Sequence, residues 1–149
     1  MKGFRSHPSS FPGLCPDASW SHVRRPFYEI AAGGSAPIAT EALARIAELY
    51  AIEAEIRGRS ADERCTVRQE KTRPLVDSLK MWMVAQFAAV SQKSTIAEAF
   101  RYALTRWSGL TRFLDDGRIE IDSNVVERTI RPLATARSLC SPFLSIGKH

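Results

Sequence analysis

Between Ile38 and Leu114 the apolar residues return at three- and four-residue steps, the spacing that lines one face of a helix and not the alternation of a half-buried strand. Over 38–57, the residues Ala42, Leu43, Ile46, Leu49, Tyr50, Glu53 and Ile56 share a face that is apolar except at Glu53. Gly58 is expected to follow as the residue that ends this helix. A second segment opens at Ser60, where Ser-Ala-Asp-Glu places Glu63 at the third position of a capping box. It is mostly polar, and it is expected to stop near Arg73 because Pro74 suits the first position of a third helix. There Leu75, Leu79, Trp82, Met83, Gln86, Phe87 and Val90 form a broad stripe. A fourth helix is expected from Thr95, with Thr-Ile-Ala-Glu as its capping box and Ile96, Phe100, Ala103, Leu104, Trp107, Leu110 and Leu114 along one side.

The flanks are less regular. Five of the eight prolines and four of the eight glycines fall in residues 1–37, whose first 18 residues show no period. Trp20 to Ala32 reads as a short helix interrupted at Pro26, which lacks an N–H and clashes with the preceding turn. After Leu114, Asp115-Asp116-Gly117 is turn chemistry, and Arg118-Ile119-Glu120-Ile121-Asp122 alternates as a short strand does. On that reading Glu120 and Asp122 share its solvent side. Asn124 can cap a last helix with Glu127 at its third position, Val125, Val126, Ile130 and Leu133 facing inward, and Pro132 ending it. The expected fold class is mainly α, with one short strand.

Composition agrees with a single folded unit: 149 residues, 44% hydrophobic and 25% charged. The net charge of +5 is concentrated at the ends, since residues 1–37, 38–127 and 128–149 carry +2, −1 and +4. No run approaches the roughly 18 apolar residues that span a bilayer, and no signal-peptide core opens the chain. A cytoplasmic protein without a membrane partner is expected. Cys15, Cys65 and Cys140 are far apart and odd in number, and His7, His22 and His149 are scattered, so neither a disulfide framework nor a zinc site is legible.

The passage RIEIDSNVVERTIRPL carries the most chemistry. Asn124, Glu127, Arg128 and Arg131 fall on one helical face, where a carboxylate and two guanidinium groups could meet a divalent metal and phosphates. The plainer alternative stands beside it: Glu127 caps its own helix and pairs with Arg131 one turn on. Arg24 and Arg25, beside Trp20 and His22, suggest phosphate contact, against the alternative of a solvated helix face. Sixteen arginines against five lysines fit the planar fork that grips phosphate, although base composition gives the same ratio. Trp82, Trp107 and Met83 read as core.

Several passages, WSHVRRPFYEI at 20–30, SAPIATEALARIAELYAIEAEIRG at 35–58, RPLVDSLKMW at 73–82 and AEAFRYALTRWSGLTRFLDDGRIEIDSNVVERTIRPLA at 97–134, resemble the insertion sequence 66 family of bacterial transposases. The resemblance implies a ribonuclease-H-like core in which three carboxylates hold two magnesium ions for DNA cleavage and strand transfer. It implies further that Glu127 matches the third carboxylate, catalytic and metal-binding. Arg24, Arg25, Arg128 and Arg131 would then contact DNA phosphates, and the helices from 38 to 115 would form the helical region between the second and third carboxylates. Transposon-end DNA and the full-length transposase are the implied partners. The first two carboxylates would belong to strands upstream of Trp20, and only 19 residues precede it, so this chain is expected to bind no magnesium and to be inactive alone. Three parts follow: an unrelated or disordered segment at 1–19, a transposase-like helical region at 20–137 ending in the third-carboxylate helix, and a divergent tail at 138–149, as a reading-frame shift near Arg137 would produce.

Overall fold

The computed structural model describes residues 18–122, and these are mainly α-helical, as expected. Helix α1 spans Trp20–Ala32, α2 Pro37–Glu55, α3 Ala61–Val67, α4 Arg73–Ala89, α5 Thr95–Thr105, and two single turns follow, α6 at Trp107–Leu110 and α7 at Arg112–Asp115. Helix α1 packs on α2 and α5, and α4 packs on the same two, so the four long helices close a ring around one core.

The core is assembled from the three stripes read in the sequence together with one face of α1. Trp20, Val23 and Phe27 of α1 are fully buried, as are Ala39, Ala42, Ile46 and Leu49 of α2, Met83 of α4 and Phe100 and Ala103 of α5. Aromatic rings meet edge-on at its centre, Trp20 against Trp107 with centroids 5.6 Å apart and Trp82 against Phe100 at 5.8 Å. Such pairs add about 0.5–1.5 kcal/mol beyond their buried area. The Trp20 indole donates to the Leu110 carbonyl at 2.9 Å, which satisfies its one polar atom inside the core.

Four local expectations are corrected. Helix α1 runs through Pro26 without interruption: Val23 and Phe27, buried on either side of it, hold both turns to the core and outweigh the missing bond to the His22 carbonyl. Residues 61–89 form one unbroken helical rod rather than two helices, because Arg68–Thr72 widens into a π turn in which the Arg73 N–H bonds the Arg68 carbonyl five residues back. The wider turn relieves the clash that Pro74 would otherwise make with the carbonyl four residues before it. The fifth helix is capped by Ser94, whose hydroxyl accepts from the Ala97 N–H at 3.2 Å, one residue earlier than the Thr95 capping box places it. Its stripe does continue to Leu114, but in three pieces that bend at Arg106 and Thr111. Thr105 and Thr111 both donate back to carbonyls four residues earlier, a competition that bends helices.

The short strand at 118–122 is the correction that bears on fold class. Among the described residues there is no strand, and 117–122 is a series of turns and bends. Asp116 makes an isolated β-bridge, but its Oδ1 accepts from the Arg118 N–H at 2.9 Å and the Ile119 N–H returns to its carbonyl at 3.1 Å, so the backbone then folds on itself. The alternation is real but has another cause: Ile121 is buried, Glu120 and Asp122 find individual partners on the bundle, and Arg118 pairs with Asp116. The helix expected after Asn124 lies outside the described residues.

Candidate functional site

Everything that singles out one corner of this bundle converges on residues 113–122, the stretch that leads toward the Glu127 passage. The polar segment after Ser60 supplies the grip. Arg64, Arg68 and Arg73 stand four and five residues apart, and the π turn between the last two sets both on one line. Arg68 is fully buried; its Nε and Nη2 donate to the two oxygens of Glu53 at 2.8 and 2.7 Å, while Nη1 donates to the carbonyls of Phe113 at 2.8 Å and Asp116 at 3.3 Å. Gln69 donates to the Leu114 carbonyl at 2.7 Å, and Arg73 reaches Asp115 at 2.8 Å. Arg64 pairs with Glu120 at 2.9 Å. The one charge that interrupts the apolar face of α2, Glu53, is thus the counter-charge of this grip.

The end of the stretch is held separately. The Asp122 carboxylate accepts from the Ser21 N–H at 2.8 Å and from the Tyr50 hydroxyl at 2.8 and 3.1 Å. Ser21 lies in the first turn of α1, where N–H groups have no partner within the helix, and Ser19 supplies no side-chain cap there. Asp122 fills that role from 101 residues away. Burial raises the Tyr50 phenol well above its ordinary range, the hydrogen bond to Asp122 and that carboxylate's charge add to the effect, and Arg24 opposes it weakly. At the turn before, the hydrogen bond from Arg118 holds the Asp116 carboxyl below the usual carboxylate range, against some desolvation. Between these two anchors lies a cleft of about 240 Å³, walled by Tyr50, Glu53, Arg57, Arg64, Glu120 and Asp122.

The residues expected to act fall out unevenly. Arg24 is exposed, stands over the Tyr28 ring at 5.6 Å and acts electrostatically on Tyr50, so it belongs to the same corner as Asp122. Arg25 instead pairs with Glu29 at 3.1 Å on an open helix surface. Trp20 is core and takes no part in a basic and aromatic patch. Glu127, Arg128 and Arg131 lie outside the described residues. Glu120 and Asp122, read as the solvent side of a strand, are exposed but partnered. Sequence reasoning missed Tyr50, Arg64, Arg68, Gln69 and Arg73. The available signals were Glu53 inside an apolar stripe and the unusual polarity of 60–73. Among the described residues no group of three or more His, Cys, Asp or Glu side chains is placed to hold a metal, and no helix is long and apolar enough to cross a membrane.

A helical bundle whose last described stretch, residues 113–122, is held by side chains of α1, α2 and the 61–89 rod is the class that the fold and the site define. The chain belongs to the IS66 transposase family, whose description, Transposase IS66 family, matches residues 5–146. It is similar to three uncharacterized proteins of Sinorhizobium fredii (strain NBRC 101917 / NGR234). The identity is 48% to y4qI over 118 residues, 41% to y4jD over 117 and 40% to y4hP over 129. These alignments cover 78–79% of this chain but 22–23% of each relative, so the chain spans about a fifth of the length of the proteins it matches. No solved structure matches the chain.

Proposed function

We propose that this chain is a portion of a DNA transposase that carries the helical region and the third carboxylate, Glu127, and that it is catalytically inert by itself. The family match over residues 5–146 carries the reading, and the passage DGRIEIDSNVVERTIRP supports the assignment of Glu127. In intact transposases of this kind bound divalent ions, magnesium by resemblance, stabilise the attacking and leaving oxygens of phosphodiester displacement. Among the described residues no cluster of three or more His, Cys, Asp or Glu side chains is placed to hold such ions. What this chain's own residues contribute is a rigid support for the passage and cations for phosphate: Arg24 at the Asp122 corner, with Arg128 and Arg131 further along. Arg25, paired with Glu29, contributes less.

The test has two readouts on the purified chain. Supercoiled plasmid with magnesium should remain un-nicked; reproducible nicking that Glu127→Gln abolishes would overturn the claim of inertness. Duplex DNA should bind with a log–log salt slope of about −3 if three arginines each neutralise a phosphate. A second reading, a non-catalytic module that binds DNA or the full-length transposase, is favoured by the excess of basic residues after Glu127, four with no acidic residue in 128–149. Binding to intact transposase with no salt-dependent DNA binding would select the protein-binding form of that reading.

A further inference from the structure

Resting on that reading, we infer that the cleft beside Tyr50 is a phosphate site, in which Arg57 and Arg64 take the oxygens of a DNA phosphodiester once the Glu120 side chain swings aside. Arg64 carries the argument. Its side chain is 14% exposed, its Nη2 donates to one oxygen of Glu120 at 2.9 Å, and its Nε is buried without a hydrogen-bond partner. A guanidinium donor left unsatisfied inside a protein is costly and calls for an explanation. Nε and Nη2 form the edge of a guanidinium that one oxyanion fills with two oxygens. Arg68, one turn on, has that edge filled by both oxygens of Glu53, whereas Glu120 fills half of it on Arg64. Arg57 lines the same cleft, is exposed and, among the described residues, is joined to no carboxylate.

The acidic residues of the cleft oppose an anion less than their number suggests. Both Glu53 oxygens accept from Arg68, and Asp122 accepts from Ser21 and Tyr50, so these two carboxylates are satisfied within the protein. Glu120 is 54% exposed and has a single contact. Burial of Ile121 fixes the backbone beside it, so the side chain alone has to turn away. An ion pair with one partner so exposed contributes little, and a phosphodiester that bridges two guanidinium groups replaces it with more charge-assisted bonds than it breaks. A volume of about 240 Å³ lies below that of pockets for drug-sized ligands and suits one phosphate group. Arg24, acting on Tyr50 from α1, adds positive potential at the same corner.

The experiment titrates the full ¹⁵N-labelled chain, without metal, with inorganic phosphate against chloride of equal ionic strength, and separately follows duplex DNA binding across a salt series. The Arg64 Nε–H resonance should shift with phosphate and not with chloride. Glu120→Gln, which keeps the shape and removes the charge, should tighten phosphate binding about two- to fivefold. Arg57→Gln should weaken it about tenfold and make the DNA salt slope shallower by about one. Glu55→Gln frees Lys71 outside the cleft and should leave phosphate affinity unchanged. Glu120 and Arg57 are both exposed, so neither change reaches the core, and far-UV circular dichroism verifies the fold. An Arg64 resonance that ignores phosphate, or equal gains from Glu120→Gln and Glu55→Gln, would overturn the site. DNA binding whose salt slope Arg57→Gln leaves untouched would overturn the assignment of this cleft to DNA while the transposase reading stands. Phosphate binding that follows these variants in a chain that binds no DNA would keep the cleft as a site for free phosphate and overturn its DNA source together with the reading beneath it.

Discussion

Gly117 shows how much a single position can be asked to do. A Cβ built on it would stand 1.8 Å from the Ala61 carbonyl oxygen and 2.6 Å from the carbon, backbone atoms at the start of α3 that cannot swing aside as a side chain could. The glycine is required because two backbones touch at the floor of the 113–122 stretch. Gly117→Ala should accordingly lower stability by about 2 kcal/mol, within the range of overpacked sites, read as a shift of the urea midpoint at constant slope. A shift under about 0.5 kcal/mol would mean that the stretch moves off α3 freely. The sequence marked Asp115-Asp116-Gly117 as a turn, and it is one, with the Asp116 side chain bonding the Arg118 N–H at 2.9 Å. It could not mark the close approach, because Ala61 is 56 residues away.

At the scale of elements, local signals located the helices to within a few residues and misplaced two of their boundaries for traceable reasons. Ser60 and Ser94 both accept from the N–H three residues on, at 3.2 Å in each case. The sequence identified the first and chose Thr95 over Ser94 for the second, since either residue is a good cap and Thr95 has the Glu three residues later. Ser94→Ala should cost about 1 kcal/mol and Thr95→Ala a few tenths, measured by thermal unfolding of the two variants side by side; equal losses would contradict the cap. The π turn at Arg68–Thr72 was not legible, because its purpose is to turn Arg68 and Arg73 toward carbonyls and a carboxylate supplied by residues 113–116. A pattern read over one turn of helix contains no trace of such a partner.

Across the whole molecule the Glu53–Arg68 pair joins α2, the π turn and the end of α7, with Arg68 fully buried and Glu53 8% exposed. Breaking it from one side leaves a guanidinium in the core without a counter-charge. Glu53→Ala should destabilise the chain by about 3–5 kcal/mol. Adding Arg68→Met should cost less than the sum of the two single changes, because the stranded charge is then gone, although the Phe113 carbonyl loses its donor. Denaturant unfolding of the four proteins in the cycle measures this, and strict additivity would show that the pair does not act as a unit. The same pair explains why the one acidic residue on the α2 stripe is not an exposed edge.

The sequence by itself determined the helical content, three apolar stripes, the Ser60 helix start and the family, since all of these are written in short-range spacing or in runs of matching residues. Tertiary structure decided the rest. It carried α1 through Pro26, merged two expected helices at the π turn, bent α5 into three pieces so that Leu110 meets the Trp20 indole, and replaced a strand with turns held one side chain at a time. It also converted Asp122 from a solvent-facing residue into the cap of a helix 101 residues away. The division has one physical reason: burial of an apolar face is non-directional and follows from the periodicity of a single element, whereas a hydrogen bond or ion pair needs a particular partner at a particular distance, and that partner exists only once distant segments have come together.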